Sequence, residues 1–148
     1  MEPITDDELL LDRIRGLFPS DLMPGLRCEI TQVNHHAGTA SLGFEAGEPT
    51  ANQLGAVQGG IVAAMLDGCI GIAGAAASGG VLAMPLAALN TSFVRPVLPG
   101  IVFGEGVVVR LGRTVGFIEA TLTDPEGRVV ARASGTAVPT PFPDEQRP

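Results

Sequence analysis

The chain contains no lysine, no tryptophan and no tyrosine. Without lysine there is no Schiff-base chemistry and no P-loop lysine for a nucleotide's phosphates. Without the two larger aromatics only six phenylalanines remain for stacking, too few for a nucleic-acid platform. Histidine is confined to the adjacent pair His35 and His36. A Ser-His-Asp triad or a multi-histidine metal site therefore has few possible members, and no metal or other cofactor is expected. The two cysteines, Cys28 and Cys69, have no CxxC spacing, and the N-terminus shows no basic segment followed by a cleavable apolar stretch. The expectation is a cytoplasmic chain with reduced thiols. Cys69 has no histidine near it in sequence and reads as a small packing residue rather than a nucleophile.

What is present suits one compact unit. The 148 residues are 45% hydrophobic with a mean hydropathy of +0.32, ample for a single domain with a substantial core. All nine basic residues are arginine, against 16 acids, giving a net charge of -7. That balance argues against nucleic acid or an anionic membrane surface as a partner. A polyanionic ligand has to be met by a local group of arginines.

Between Glu48 and Arg95 one residue alone is ionisable at neutral pH, Asp67. It lies within "QGGIVAAMLDGCIGIAGAAA", residues 58 to 77. An ionised carboxylate in apolar surroundings costs several kcal/mol or shifts its pKa upward, so stability alone does not account for it. The apolar run approaches the length of a membrane span, but its central acid, its Gly and Ala content and the lack of flanking basic residues predict a helix buried in a core, apolar all round. On such a helix Gly60, Ala64, Asp67, Gly71 and Gly74 fall close to one stripe, leaving room for a backbone or a thin ligand beside the acid.

The rest of the chain is legible in outline. "DDELLLDRIRGLF" predicts an N-terminal amphipathic helix over about residues 6–18, with Leu10, Ile14, Leu17 and Phe18 on one face. Residues 26–46 predict two strands around the turn "NHHAG", whose histidines read as polar turn residues. Four more strands are expected at about 84–93, 101–111, 115–123 and 129–139, with "DPEG" as a β-turn. One long helix among antiparallel strands makes an α+β domain, 1–148, with a core over about 26–138 and a frayed tail over about 140–148.

Several motifs share an order and spacing that resemble one family. "NQLGAVQGGIVAAMLD", "LNTSFVRPVLPG" and "VVVRLGRTVGFIEATLTDPEGRVVARASGTAVP" are similar to the PaaI-like branch of the hotdog-fold acyl-CoA thioesterases. Asn52, Gly55, Gln58, Gly59, Gly60 and Asp67 fall on the family's pattern, as do Leu89, Asn90, Phe93, Arg95 and Pro96. The resemblance implies an antiparallel sheet wrapped around the long helix, assembled as a homodimer or as a homotetramer of two dimers. It also implies hydrolysis of an acyl-CoA thioester at a site shared between subunits. In that scheme Gly59 N–H, with Gly60 as a second donor, polarises the thioester carbonyl. Asp67 is general base or nucleophile, and Asn52 orients water or the carboxylate.

Physical chemistry agrees with this assignment, because two glycines opening a helix leave N–H groups free at the positive end of its dipole. Gln58 stands where the family usually has histidine; it can hydrogen-bond but cannot titrate. Gly71 occupies a position where some members place a hydroxyl. Arg95, Arg110 and Arg113 are candidates for the CoA phosphates through their forked donors. Two alternatives follow: an acyl-CoA-binding hotdog protein without efficient turnover, motivated by Gln58, and a hotdog dehydratase or hydratase, disfavoured because those enzymes pair a histidine with their acid.

Overall fold

The computed structural model describes residues 1–143. In chain order the elements are α1 (Asp7–Leu17), β1 (Asp21–Met23), β2 (Leu26–Asn34), β3 (Thr39–Ala46), a 3-10 turn (Glu48–Thr50), α2 (Gly59–Ala77), β4 (Leu82–Ala83), β5 (Leu86–Phe93), β6 (Gly100–Leu111), β7 (Gly116–Thr123), β8 (Val129–Ala137) and β9 (Thr140–Pro141). Seven strands form one antiparallel sheet in the order β1-β2-β3-β6-β7-β8-β5. The sheet curls around α2, and α1 packs on both β2 and α2. This is the hotdog architecture, with a short N-terminal helix added.

Alternation drives the sheet. Along β7, and along β8 from Ala131 onward, every second residue is buried, so one face of each strand meets α2 and the other is more open to solvent. Helix α1 starts where Asp6 Oδ1 accepts from Glu8 N–H and Leu9 N–H, and it buries Leu10 and Ile14 against the core. Two arginines tie it down. Arg13 donates to the carbonyls of Glu2 and Gly79, and Arg15 donates through Nε and Nη2 to the Ile30 carbonyl at 3.1 and 2.8 Å, beside a bulge in β2.

Helix α2 sits unusually close to the sheet at two glycines of β6. A Cβ at Gly104 would lie 2.5 Å from Cys69 Sγ. One at Gly106 would overlap the Cys69 carbonyl oxygen and lie 2.8 Å from Ala73 Cβ. These glycines, with the small residues Cys69 and Ala73 opposite, let helix and sheet backbones approach as larger pairs could not. α2 is long and apolar enough to cross a membrane by length and composition, yet it is laid along β3, β6 and β7.

Two expectations need correction. The helix is not buried all round: Gly60 and Asp67 are exposed, and Ala63, Ala64, Gly68 and Gly71 are only half-buried. Apolarity predicted enclosure, but these side chains are so small that the sheet and α1 do not cover the face they make. The tail expected to fray from residue 140 is instead pinned at its start. Thr140–Pro141 pair with Leu82–Ala83, and Phe142 is buried with its ring edge-on to Phe18 at 6.1 Å. The short pairing was hidden because its partner lies more than fifty residues away; residues 144–148 lie outside the described residues.

The close approach is testable. Gly106→Ala is expected to destabilise the protein by about 2 kcal/mol or more, since it drives a methyl group into the α2 backbone. Gly43→Ala on neighbouring β3, where a Cβ meets nothing within 4 Å, should shift stability by less than about 0.5 kcal/mol. Chemical denaturation of both variants checks this; equal, small effects would remove the packing argument.

Candidate active site

Three of the residues singled out from sequence meet in one cleft. Asn52, Gly59 and Arg95 line an opening of ≈ 360 Å³ at the start of α2, together with Phe93 and Val97. The loop before α2 shapes it. Asn52 Oδ1 accepts from Leu54 N–H at 2.9 Å and Ala56 N–H at 3.2 Å, while Asn52 N–H donates to the Ala56 carbonyl. Its side-chain oxygen is thus committed to the turn, and only its Nδ2 is left to meet water or substrate. Local hydrogen bonding of this kind is what Asn does in loops, and the motif position alone did not reveal it.

Gln58 then serves as the N-terminal cap residue of α2 without a side-chain capping bond. Its N–H donates to the Thr50 carbonyl, and its own carbonyl accepts from Ile61 and Val62. Its side chain is exposed. Among the described residues, neither Gly59 N–H nor Gly60 N–H has an acceptor, so both donors remain at the positive end of the helix. The Phe93 ring lies 3.5 Å from where a Gly59 Cβ would be, whereas nothing approaches Gly60 within 4 Å. Phe93 is therefore a wall of the cleft; its place in the "LNTSFVRP" motif was the only sequence signal for it.

Asp67 lies two turns further along α2 and outside this cleft. Among the described residues it has no ion pair. It is exposed in the single chain, yet the protein atoms around its carboxyl exclude enough water to raise its pKa above the ordinary 3.8. Desolvation is the sole cause, with no neighbouring charge to offset it.

The arginines separate. Arg95 Nη1 donates to the Val129 carbonyl at 2.6 Å, which holds the exit of β5 against β8 and fixes the guanidinium at the cleft. Arg110 and Arg113 are on the β6–β7 hairpin. There Val108 packs on Gly38, which also meets Ala77, so within one chain these two arginines lie toward the far end of α2 from Gly59.

His35 and the two cysteines are structural. His35 Nδ1 pairs with the Ala76 carbonyl at 3.1 Å, and Asp7 binds both His35 N–H and Asn34 Nδ2. Burial pushes the Cys28 thiol up to about 11, with Glu29 adding to the effect, and raises that of Cys69 further still. Both thiols stay protonated at neutral pH and offer no nucleophile. No cluster of metal-ligating side chains occurs among the described residues.

Comparison with known proteins follows the same lines. The model of the thioesterase superfamily matches residues 54–131, the stretch holding the α2 entrance, Asp67 and the strands around them. A candidate thioesterase related to phenylacetic acid degradation, from Ralstonia eutropha JMP134, is 30% identical, with a TM-score of 0.77 over 87% of this chain and 98% of that one. The Escherichia coli PaaI protein of the phenylacetic acid degradation operon is 18% identical, with a TM-score of 0.69 over 76% and 78% of the two chains. A Streptococcus mutans UA159 protein bound to acetyl-CoA is also 18% identical, with a TM-score of 0.70 over 78% and 90%. At that identity the last two speak for the fold. No curated protein sequence matches. With its central helix, its glycine-opened entrance and its single acid, the chain belongs to the thioesterase superfamily, as a PaaI-like hotdog protein.

Proposed function

We propose that this protein is an acyl-CoA thioesterase, hydrolysing a thioester to a free acid and CoA at a site built by two copies of the chain. The observation that carries the reading is Asp67: one unpaired acid with a raised pKa, on an uncovered helix face of small residues. As general base it takes a proton from water while the water oxygen adds to the carbonyl carbon. As nucleophile its own oxygen adds first, giving a mixed anhydride that water then opens. In either route the carbon–sulfur bond breaks and CoA leaves as the thiol. The negative charge that gathers on the carbonyl oxygen is met by Gly59 N–H, with Gly60 as a second donor, an interaction typically worth ~3 kcal/mol of barrier.

Geometry favours a shared site. Asp67 follows Gly59 by eight residues, about 12 Å of helical rise. A reacting carbonyl has to lie about 3 Å from each group, too short a bridge within one chain. A second copy, presenting its Gly59 entrance to this Asp67, closes the gap and covers the open face of α2. Strand β5 supports such pairing, because it is a sheet edge of eight residues whose free side can continue into another sheet. In this arrangement Arg95, and from the partner Arg110 and Arg113, are the candidates for the CoA phosphates; the acetyl-CoA held by the Streptococcus mutans relative makes that ligand the natural one to test. A homodimer or a dimer of dimers in the cytoplasm is the setting proposed.

A second reading, acyl-CoA binding without efficient turnover, is favoured by Asn52. Its Oδ1 is occupied by the turn, and Gln58, whose side chain is exposed, cannot titrate. Thiol release from a panel of short, medium and aromatic acyl-CoAs decides between them. Turnover above background supports the hydrolase, and binding without thiol release supports the carrier.

Three outcomes are expected of the hydrolase. Asp67→Asn should lower kcat by at least ~100-fold while fold and assembly persist; wild-type turnover in that variant would sink the site assignment. Gln58→Ala should cost less than about tenfold, since its exposed side chain can offer the substrate no more than one neutral hydrogen bond. Activity should fall on the acid side through a pKa above 3.8, because the ionised carboxylate is the working form.

The same shift has a stability signature. A carboxyl whose folded pKa is raised holds its proton more tightly when folded, so ionisation opposes folding. Relative to Asp67→Asn, the wild type should lose stability as pH rises from 3.8 through the folded pKa, then run parallel to the variant. Melting temperatures of both proteins at pH 4 and pH 7 check the sign.

A further inference from the structure

Beside the open face of α2 the fold leaves a second groove, of ≈ 560 Å³, walled by the C-terminal end of α1, the segment Pro19–Leu22, Cys28–Ile30 of β2, and Gly68 with Ile72 on α2. That size falls within the range of about 300–1,000 Å³ usual for small-molecule sites. Its walls are chiefly hydrocarbon, from Leu17, Phe18, Leu22, Ile30 and Ile72.

Charge is present but engaged or peripheral. Arg15 is bound to the Ile30 carbonyl, Arg27 pairs with Asp21 at 3.4 Å, and Glu29 is exposed to solvent. The Cys28 thiol stays neutral. With Arg15 turned to a backbone carbonyl and Arg27 at the exposed rim beside Asp21, the floor of the groove suits a hydrocarbon better than an anion.

Two glycines keep it open. A Cβ on Gly16 would meet nothing within 4 Å, and one on Gly68 would meet only the Phe44 ring, at 3.9 and 4.0 Å. Both lie within helices, where glycine is less favourable than alanine by about 1 kcal/mol, so neither helix gains stability from it. The empty space they leave adjoins the proposed chemistry. Gly68 follows Asp67 directly, which puts its Cα about 3.8 Å from that of the acid, and Ile72 is the next turn of the same helix.

We infer that this groove receives the hydrocarbon acyl group of the thioester, so that the N-terminal segment sets acyl preference while α2 supplies the acid. The inference rests on the thioesterase reading and deepens it. Apart from Gly68 and Ile72, the walls lie outside residues 54–131, the part shared with the superfamily model. Acyl selection is thus built largely from a different part of the chain than the acid and the oxyanion donors.

The test compares kcat/KM for acetyl-CoA, octanoyl-CoA and phenylacetyl-CoA in the full-length wild type, in Gly16→Leu and in Gly68→Leu, which fill the groove from opposite walls. Circular dichroism and size-exclusion chromatography check fold and assembly. At least a tenfold loss with octanoyl-CoA or phenylacetyl-CoA, against less than twofold with acetyl-CoA, in at least Gly16→Leu, supports the groove; the two longer substrates separate a straight chain from an aryl group. Equal losses on all three, or none, overturn it while leaving hydrolysis intact. Should the wild type release no thiol from any substrate, calorimetry with octanoyl-CoA and CoA separates the two readings. Octanoyl-CoA binding at least tenfold tighter than CoA, abolished by Gly16→Leu, retains the groove and rejects the hydrolase; equal binding rejects both.

Discussion

The contact on which the structure turns is the approach of Cys69 to β6, its side chain against Gly104 and its backbone against Gly106. Nothing larger than glycine fits on the strand there, so the helix is held at one depth and one rotation. Two residues along an α-helix correspond to about 200°. With Cys69 pressed on the sheet, Asp67 is turned to the opposite side. The same contact therefore buries a thiol, silencing it, and exports the only charge of the segment to the open face.

Electrostatics follow from that placement. Among the described residues Asp67 has no ion pair, and no neighbouring charge contributes to its shift. Its raised pKa comes from reduced hydration alone. At the head of the helix the opposite condition holds: two N–H donors at the positive dipole end, with no side chain on either residue. Donor and acid are products of one helix, yet its length holds them apart. This separation, the uncovered small-residue face and the free β5 edge are the grounds on which a site shared by two chains is proposed.

The N-terminal segment is attached by specific bonds rather than by bulk. Asp7 binds the β2–β3 turn, Arg13 the chain after α2, and Arg15 the bulge of β2, while Phe18 meets Phe142 from the far end of the sequence. These ties hold α1 by both ends, yet a Cβ on Gly16 would meet nothing within 4 Å. A groove rather than a filled core is the consequence.

Much of this was readable from residue order. Alternating polarity marks β6, β7 and β8 to within about two residues, since strand periodicity is a local property. The family's spacing singles out Asn52, Gly59, Gly60 and Asp67; within one chain the fold brings Asn52 and Gly59 into one cleft and leaves Asp67 outside it. What local pattern could not reach are features made by distant partners: the β4–β9 pair and the burial of Phe142 against Phe18. The capture of Asn52 Oδ1 by Leu54 and Ala56 N–H is local, but the motif position carries no sign of it. Above all, an all-apolar helix carries no sign of which side it will bury. Composition decides that Asp67 stands alone, and the glycines of a strand some forty residues away decide which way it faces. Helix rotation is set by steric fit between elements, and that fit exists only once the chain has folded.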